Sequence, residues 1–382
     1  METRTYEERV AAIQAAANNQ EQDFVPVISN FAAWAAGYKK VKLADLHASE
    51  DLFVKTMSSI FDDVYADAHG GIGLGAHIPF FDILGCDVWR ISPDGYMIQH
   101  HEGMWMEAEE YPALIADPRS FILNVIAPRK FKALNGDRET VKKKLIAAMK
   151  ELDSSNPRNR ILNQLLKDKY GMVQFIGGGT MMSPFDIVFD RLRGFANTMV
   201  DIRRHPDQLK AAVDAIAPMY QKPLENLSAT FPFASATPHA PTYLGRKNFE
   251  KFYWPSYEKM MQTIASQGCK IRIFFEGDWT AFYDLMLSIP ANTIIAHLEE
   301  VDLLEAKKIF GGKMAIMSGI YLEDIKFLSK NEMFDKAKRL IDNLAPGGGF
   351  LWTTDKSVLN IADVNTENYI ALQQFVHEYG KK

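Results

Sequence analysis

Lys270-Ile-Arg-Ile-Phe-Phe275, closed by Glu276-Gly277-Asp278, is the stretch on which the fold turns. A short apolar run rich in β-branched and aromatic residues, stopped by a glycine turn, reads as a strand buried on both faces. Three more runs follow it in the same style. Thr293-Ile-Ile-Ala296 ends at His297, Lys313-Met-Ala-Ile-Met317 ends at Ser318-Gly319, and Gly349-Phe-Leu-Trp352 ends at Thr353-Thr354-Asp355. Segments of helical period lie around them, over 247–266, 280–288, 302–310, 331–343 and 366–378. That alternation predicts parallel strands covered by helices.

Working back toward the N-terminus, four earlier runs complete the set. They are Phe24-Val-Pro-Val-Ile-Ser29 ending at Asn30, and Val64-Tyr-Ala66 ending at Asp67 and His69. Met172-Val-Gln-Phe-Ile176, ending in Gly177-Gly178-Gly179, and a run from Phe231 to Ala236 follow. Eight strand signals predict one (β/α)8 TIM barrel over 1–382, with an insertion at about 82–170. The insertion opens as a hairpin, Leu84-Gly-Cys-Asp-Val-Trp89 and Tyr96-Met-Ile-Gln99 around Pro93-Asp94-Gly95, and continues in helices. A doubly wound sheet fits less well, because no dinucleotide fingerprint follows the first strand.

Composition narrows the function. The 382 residues are 47% hydrophobic and 24% charged, which suits a globular chain rather than a disordered one. With 43 basic against 48 acidic residues, no cationic excess exists to neutralise a phosphate backbone, so nucleic acid is not an expected partner. Two cysteines, Cys86 and Cys269, make no disulfide framework and suit a reducing compartment. The acidic N-terminus lacks the apolar core of a signal peptide, and no stretch approaches the ~20 apolar residues of a membrane span. The expectation is a cytoplasmic protein with no membrane contact.

In such a barrel the site lies at the C-terminal strand ends. Glu276 and His297 each follow a strand immediately and are the first candidates for catalysis. Asp278, Ser318 and Asp355 are equally well read as helix caps. The Gly177–Gly179 run could cradle an anion on its N–H groups or simply permit a close approach. Phe31, Trp34, Phe80, Phe81, Met104, Trp105, Met106, Met181 and Met182 suggest an apolar pocket, although core packing explains most such residues. His100-His101 would point to opposite faces of a strand and would not chelate together.

Asn248-Phe-Glu-Lys-Phe-Tyr-Trp-Pro-Ser-Tyr257, the segments 268–278, 297–306, 313–320 and 347–360, and Leu84-Gly85-Cys86 with its hairpin resemble the uroporphyrinogen decarboxylase-like superfamily. The likeness runs from roughly 20 to 380 through loose motifs. It implies a barrel with its site at the mouth, and three kinds of activity. The decarboxylases carry an Arg-rich segment after the first strand; Asn30-Phe-Ala-Ala-Trp-Ala-Ala-Gly37 has no basic residue, which disfavours a substrate with many carboxylates. The thiol methyltransferases bind zinc through a His-x-Cys-Gly motif; Phe274-Phe275-Glu276-Gly277 has lost both ligands, which disfavours a thiolate-type zinc site. A harder zinc site of Glu276, His297 and His239 is the metal option, with metal-free operation its equal alternative.

What remains is the substrate-side methyltransferase, which moves a methyl group from a methylated small molecule to cob(I)alamin on a separate corrinoid-binding protein. The aromatic loops favour a phenyl methyl ether as donor. Glu276 or His297 would supply a proton to the leaving phenolate. Asn30, Trp34, Asp67, Phe80, Met181, Tyr243 and Asp278 would line the substrate. A cofactor-free or metal-dependent decarboxylase or lyase is the alternative enzyme, and a non-catalytic hydrophobic-ligand binder the alternative outside catalysis. Assembly as a homodimer is left open by the sequence.

Overall fold

The computed structural model describes residues 4–381 other than 228 and 230. The chain is an α/β protein built on parallel strands. A three-stranded sheet joins β1 (Ile28–Ser29), β2 (Ala68–His69) and β5 (Val173–Gln174). A six-stranded sheet runs in the order β11 (Phe350–Trp352), β10 (Ala315–Ser318), β9 (Ile294–Leu298), β8 (Ile271–Phe275), β7 (Phe233–Ala236) and β6 (Ile176–Met181). Every pairing in these two sheets is parallel. Contacts tie the sheets at both ends. Val27 bridges Trp352 in parallel, and the Phe233 N–H donates to the Phe175 carbonyl at 2.9 Å.

Side chains alternate across each strand, and the two faces make two separate cores. Ile28, Ala68, Phe175, Phe233, Ile295, Ala315, Met317 and Leu351 gather on the enclosed side. They are joined by Ile13, Ala16 and Ala17 of the helix Tyr6–Ala17, which Thr5 and Glu8 cap reciprocally. Ile271, Ile273, Phe275, Ala296, Leu298, Ile316 and Trp352 face outward into the larger core shared with the surrounding helices. The Tyr6–Ala17 helix sits at the starts of the strands: Arg9 donates to the Tyr170 carbonyl just before β5, and Lys270 just before β8 donates to the Ala17 carbonyl. The opposite, C-terminal strand ends are left for the loops.

The insertion carries its expected hairpin, β3 (Trp89–Ile91) against β4 (Ile98–His100), antiparallel, with the turn around Pro93–Gly95. Its largest helix, Arg138–Tyr170, starts at the Asp137 cap and stops at Gly171. The glycine run does not terminate a strand. It lies inside β6, and a Cβ on Gly178 would stand 2.2 Å from the Pro232 carbonyl oxygen. Glycine is needed there so that β6 and β7 can close together, and the anion-cradle reading is replaced by that close approach. Among the described residues no helix is long and apolar enough to cross a membrane.

Candidate active site

After β6, Ser183 caps the short helix Pro184–Asp186 by accepting the Phe185 N–H at 3.2 Å. The chain then widens into a π-turn, Ile187–Leu192, a feature frequent at functional sites. Asp186 is buried and accepts the Ala240 N–H at 3.0 Å and the Tyr253 hydroxyl at 2.8 Å. Burial pushes its carboxyl up to about 7. The Ala240 bond fastens the loop after β7 to the start of the π-turn, beside which His239 meets Asp190.

His239 Nδ1 donates to Asp190 Oδ2 at 2.8 Å. That bond is the main reason its pKa rises to about 9; burial opposes it, and Asp190, Asp186 and Glu276 add their negative charge. The ring is an imidazolium at neutral pH. Its Nε2 lies 3.9 Å from Glu276 Oε2, an ion pair beyond hydrogen-bond length. Glu276 follows β8 directly, and its carboxyl is raised by burial against the pull of the His239 cation. The two side chains are 46% and 48% exposed, so a ligand can reach both.

Below them on β8, Arg272 and Phe274 share the inward face with Glu276 by alternation. Arg272 Nη2 donates to His297 Nδ1 at 2.6 Å, and His297 Nε2 donates to the Thr354 carbonyl at 2.8 Å. The His297 ring lies 4.9 Å from that of Phe274. Burial, then the Arg272 cation, holds its pKa well below the usual histidine value. His297 is therefore neutral with both nitrogens in use. The expected acid or metal ligand is instead the anchor of an arginine, because β9 continues through it to Leu298 and keeps it enclosed.

The proposed metal trio is not assembled. His239 and Glu276 meet, but His297 is turned inward. Among the described residues no group of three His, Cys, Asp or Glu side chains is placed to hold an ion, and Cys86 and Cys269 are buried free thiols. These residues do not fit zinc.

The other candidates separate in the same way. Asn30 follows β1 with its Oδ1 accepting the Ser357 hydroxyl at 2.8 Å and its buried Nδ2 without a partner among the described residues. Glu299 accepts Lys356 at 3.0 Å and the Gly277 N–H at 2.9 Å, joining the loops after β8, β9 and β11. Tyr243 is exposed, four residues beyond His239, with its ring 5.0 Å from Phe195. Phe80 is half-buried and meets Phe81 and Phe131 edge-on within the insertion.

Four expected substrate residues lie elsewhere. Asp278 is exposed and accepts the Thr280 N–H at 2.8 Å, so it caps a turn. Trp34 is fully buried in the outer core, stacked on Tyr38 at 5.0 Å, and Met181 also packs outward. Asp67 stands before β2, at the strand starts, where Arg4, Arg9 and Tyr65 surround it. Asp190 and Arg272 were missed. Arg272 had a signal, since Arg272, Phe274 and Glu276 are alternate residues of one strand. Asp190 had none, because tertiary contacts such as the Asp186 bond to Ala240 bring its turn to His239.

Asp190→Asn should return His239 toward or below the ordinary histidine pKa, because burial is then left unopposed by its largest counterweight. A folded pKa raised from 6.5 to about 9 adds stability that is complete below pH 6.5 and disappears as pH climbs through 9. The variant should lose that dependence. An NMR titration of the ring, identified by comparison with a His239→Gln spectrum, decides the matter; an unchanged midpoint would refute the pairing.

The family model for uroporphyrinogen decarboxylase (URO-D) matches residues 139–379. No curated protein matches the sequence. Among solved structures, a methyltransferase from Methanosarcina mazei superposes with a TM-score of 0.62, covering 97% of this chain and 98% of that one at 12% identity. At that identity the likeness is one of fold.

Proposed function

The chain belongs to the uroporphyrinogen decarboxylase family, and from that premise we propose that it is a substrate-side methyltransferase: it takes the methyl group of a phenyl methyl ether and passes it to cob(I)alamin presented by a separate corrinoid-binding protein. The nine parallel strand segments, with β5 and β6 two pieces of one run through Phe175, are tied at Val27–Trp352 and Phe175–Phe233 and are read as the eight strands of a closed (β/α)8 barrel whose C-terminal rim meets that partner. The fold shared with a methyltransferase supports this reading.

The observation that carries it is the His239 imidazolium with an unbonded Nε2–H at the strand ends. In the reaction the methyl–oxygen bond breaks and the methyl carbon joins the acceptor's cobalt, the acceptor being a substrate brought from outside. The oxygen left on the ring is a phenolate, and it needs a proton. His239 Nε2 supplies it while Asp190 holds Nδ1. An acid near 9 is well matched to a phenol near ~10, so the transfer is close to thermoneutral. Glu276 stabilises the ring in its charged form between turnovers.

The test is spectroscopic. The protein is mixed with cob(I)alamin and a panel of methoxylated arenes, and methylcobalamin is expected to form. Release of CO2 without methyl transfer, or tight ligand retention without turnover, would overturn the proposal in favour of a lyase or a carrier.

A further inference from the structure

We propose that Arg272 is an anion receptor on the inner face of the strands, and that the ligand of this site is an aromatic carboxylate. Three observations converge. The guanidinium is only 8% exposed, yet among the described residues it makes one hydrogen bond, to the neutral His297. Among the described residues no carboxylate compensates it, and burial lowers its pKa to about 10. The two most deeply buried arginines behave otherwise, Arg9 lying 3.3 Å from Asp67 and Arg193 2.6 Å from Asp201. An uncompensated buried cation is costly, and a ligand that brings the anion removes the cost.

The remaining donors are also open. Nε and Nη1 are neither bonded nor among the sealed polar atoms, so they face reachable space. A guanidinium fork with one edge free suits the planar two-oxygen geometry of a carboxylate. His297 is the positioning residue. Its Nδ1 accepts from Nη2, and the Thr354 carbonyl fixes the tautomer that leaves Nδ1 able to accept.

The strand also sets the ligand's length. The guanidinium reaches the layer of His297, which is in register with Phe274, and Glu276 stands one inward step further. Two strand residues rise roughly 7 Å. A benzene ring spans that interval, with its carboxylate on Arg272, its face beside Phe274 and its ether oxygen near Glu276 and His239. This placement rests on the methyltransfer reading; the anion site itself does not.

Calorimetry on the full chain at pH 7, with no methyl acceptor present, separates the two. 4-Methoxybenzoate should bind, and Arg272→Gln should weaken it roughly 10- to 100-fold, the range for losing hydrogen bonds to a charged group. Binding of neutral methoxybenzene should be unchanged or tighter in the same variant. Arg272→Lys should retain part of the affinity. Unliganded Arg272→Met should be at least as stable as the parent, and 4-methoxybenzoate should raise the Tm of the parent alone. Equal benzoate binding by parent and Arg272→Gln, displacement of benzoate by inorganic phosphate at equal concentration, or a marked loss of stability in Arg272→Met would each overturn the proposal. Binding of 4-methoxybenzoate here, together with no methylcobalamin when cob(I)alamin is added, would leave the receptor standing and remove the transferase.

Discussion

His239→Gln should demethylate an ordinary phenyl methyl ether about 100- to 10,000-fold more slowly than the parent, the cost of losing a positioned general acid. The effect is chemical rather than structural, because the side chain is 46% exposed and outside the core. Two controls make it specific. With a nitro-substituted ring the departing phenolate is stable without a proton, so the parent's advantage over the variant should shrink to a small factor. In the parent, the rate should be flat through neutral pH and fall as pH rises through about 9, where the imidazolium loses its proton. In Asp190→Asn that fall should begin at lower pH. A variant that slows both substrates equally would show that His239 only shapes the pocket.

Much of this architecture is written in the second half of the sequence. The strands expected at 270–275, 293–296, 313–317 and 349–352 are found at Ile271–Phe275, Ile294–Leu298, Ala315–Ser318 and Phe350–Trp352. Their apolar runs are legible because both faces are buried, one in each core. The first half is harder. β1 and β2 are two residues long, and so short a segment leaves almost no periodic signal. The second strand, expected at 64–66, is Ala68–His69. That small shift carries Asp67 from the end of a strand to its start, and so from the site to the far side of the molecule.

The site was legible only where one strand determined it. Glu276 follows Phe275, the last strand residue, and stands at the rim. His297 was assigned by the same rule, but β9 extends one residue past it. One residue of strand was enough to turn a proposed acid into a buried acceptor. Trp34 and Met181 show a different limit: an aromatic or sulfur side chain after a strand has the same sequence signature whether it lines a pocket or fills the outer core. The Asp190–His239–Glu276 line draws on three separate loops, and no spacing within the chain announces it.

Asp67→Asn is the substitution expected to cost the fold most. Its carboxylate is completely buried between Arg4, 9% exposed, and Arg9, 3% exposed. It accepts the Tyr65 hydroxyl at 2.6 Å, the Val27 N–H at 2.9 Å and Arg4 at 3.0 Å, with Arg9 Nε as a charge contact at 3.3 Å. Together these fasten the N-terminal helix and the start of β1 to β2. Asparagine keeps the shape and one accepting oxygen but leaves two enclosed guanidinium groups without a counter-charge. Breaking a buried pair in this way costs about 3–5 kcal/mol. The exposed pair Lys39–Asp63 is the control, and Asp63→Asn should cost below about 1 kcal/mol. Chemical denaturation at pH 7 compares the two directly, and a cost for Asp67→Asn as small as the control's would sink the argument. Whatever Asp67→Asn protein remains folded should keep the parent's KM, since the network lies at the strand starts and the proposed site lies at their opposite ends.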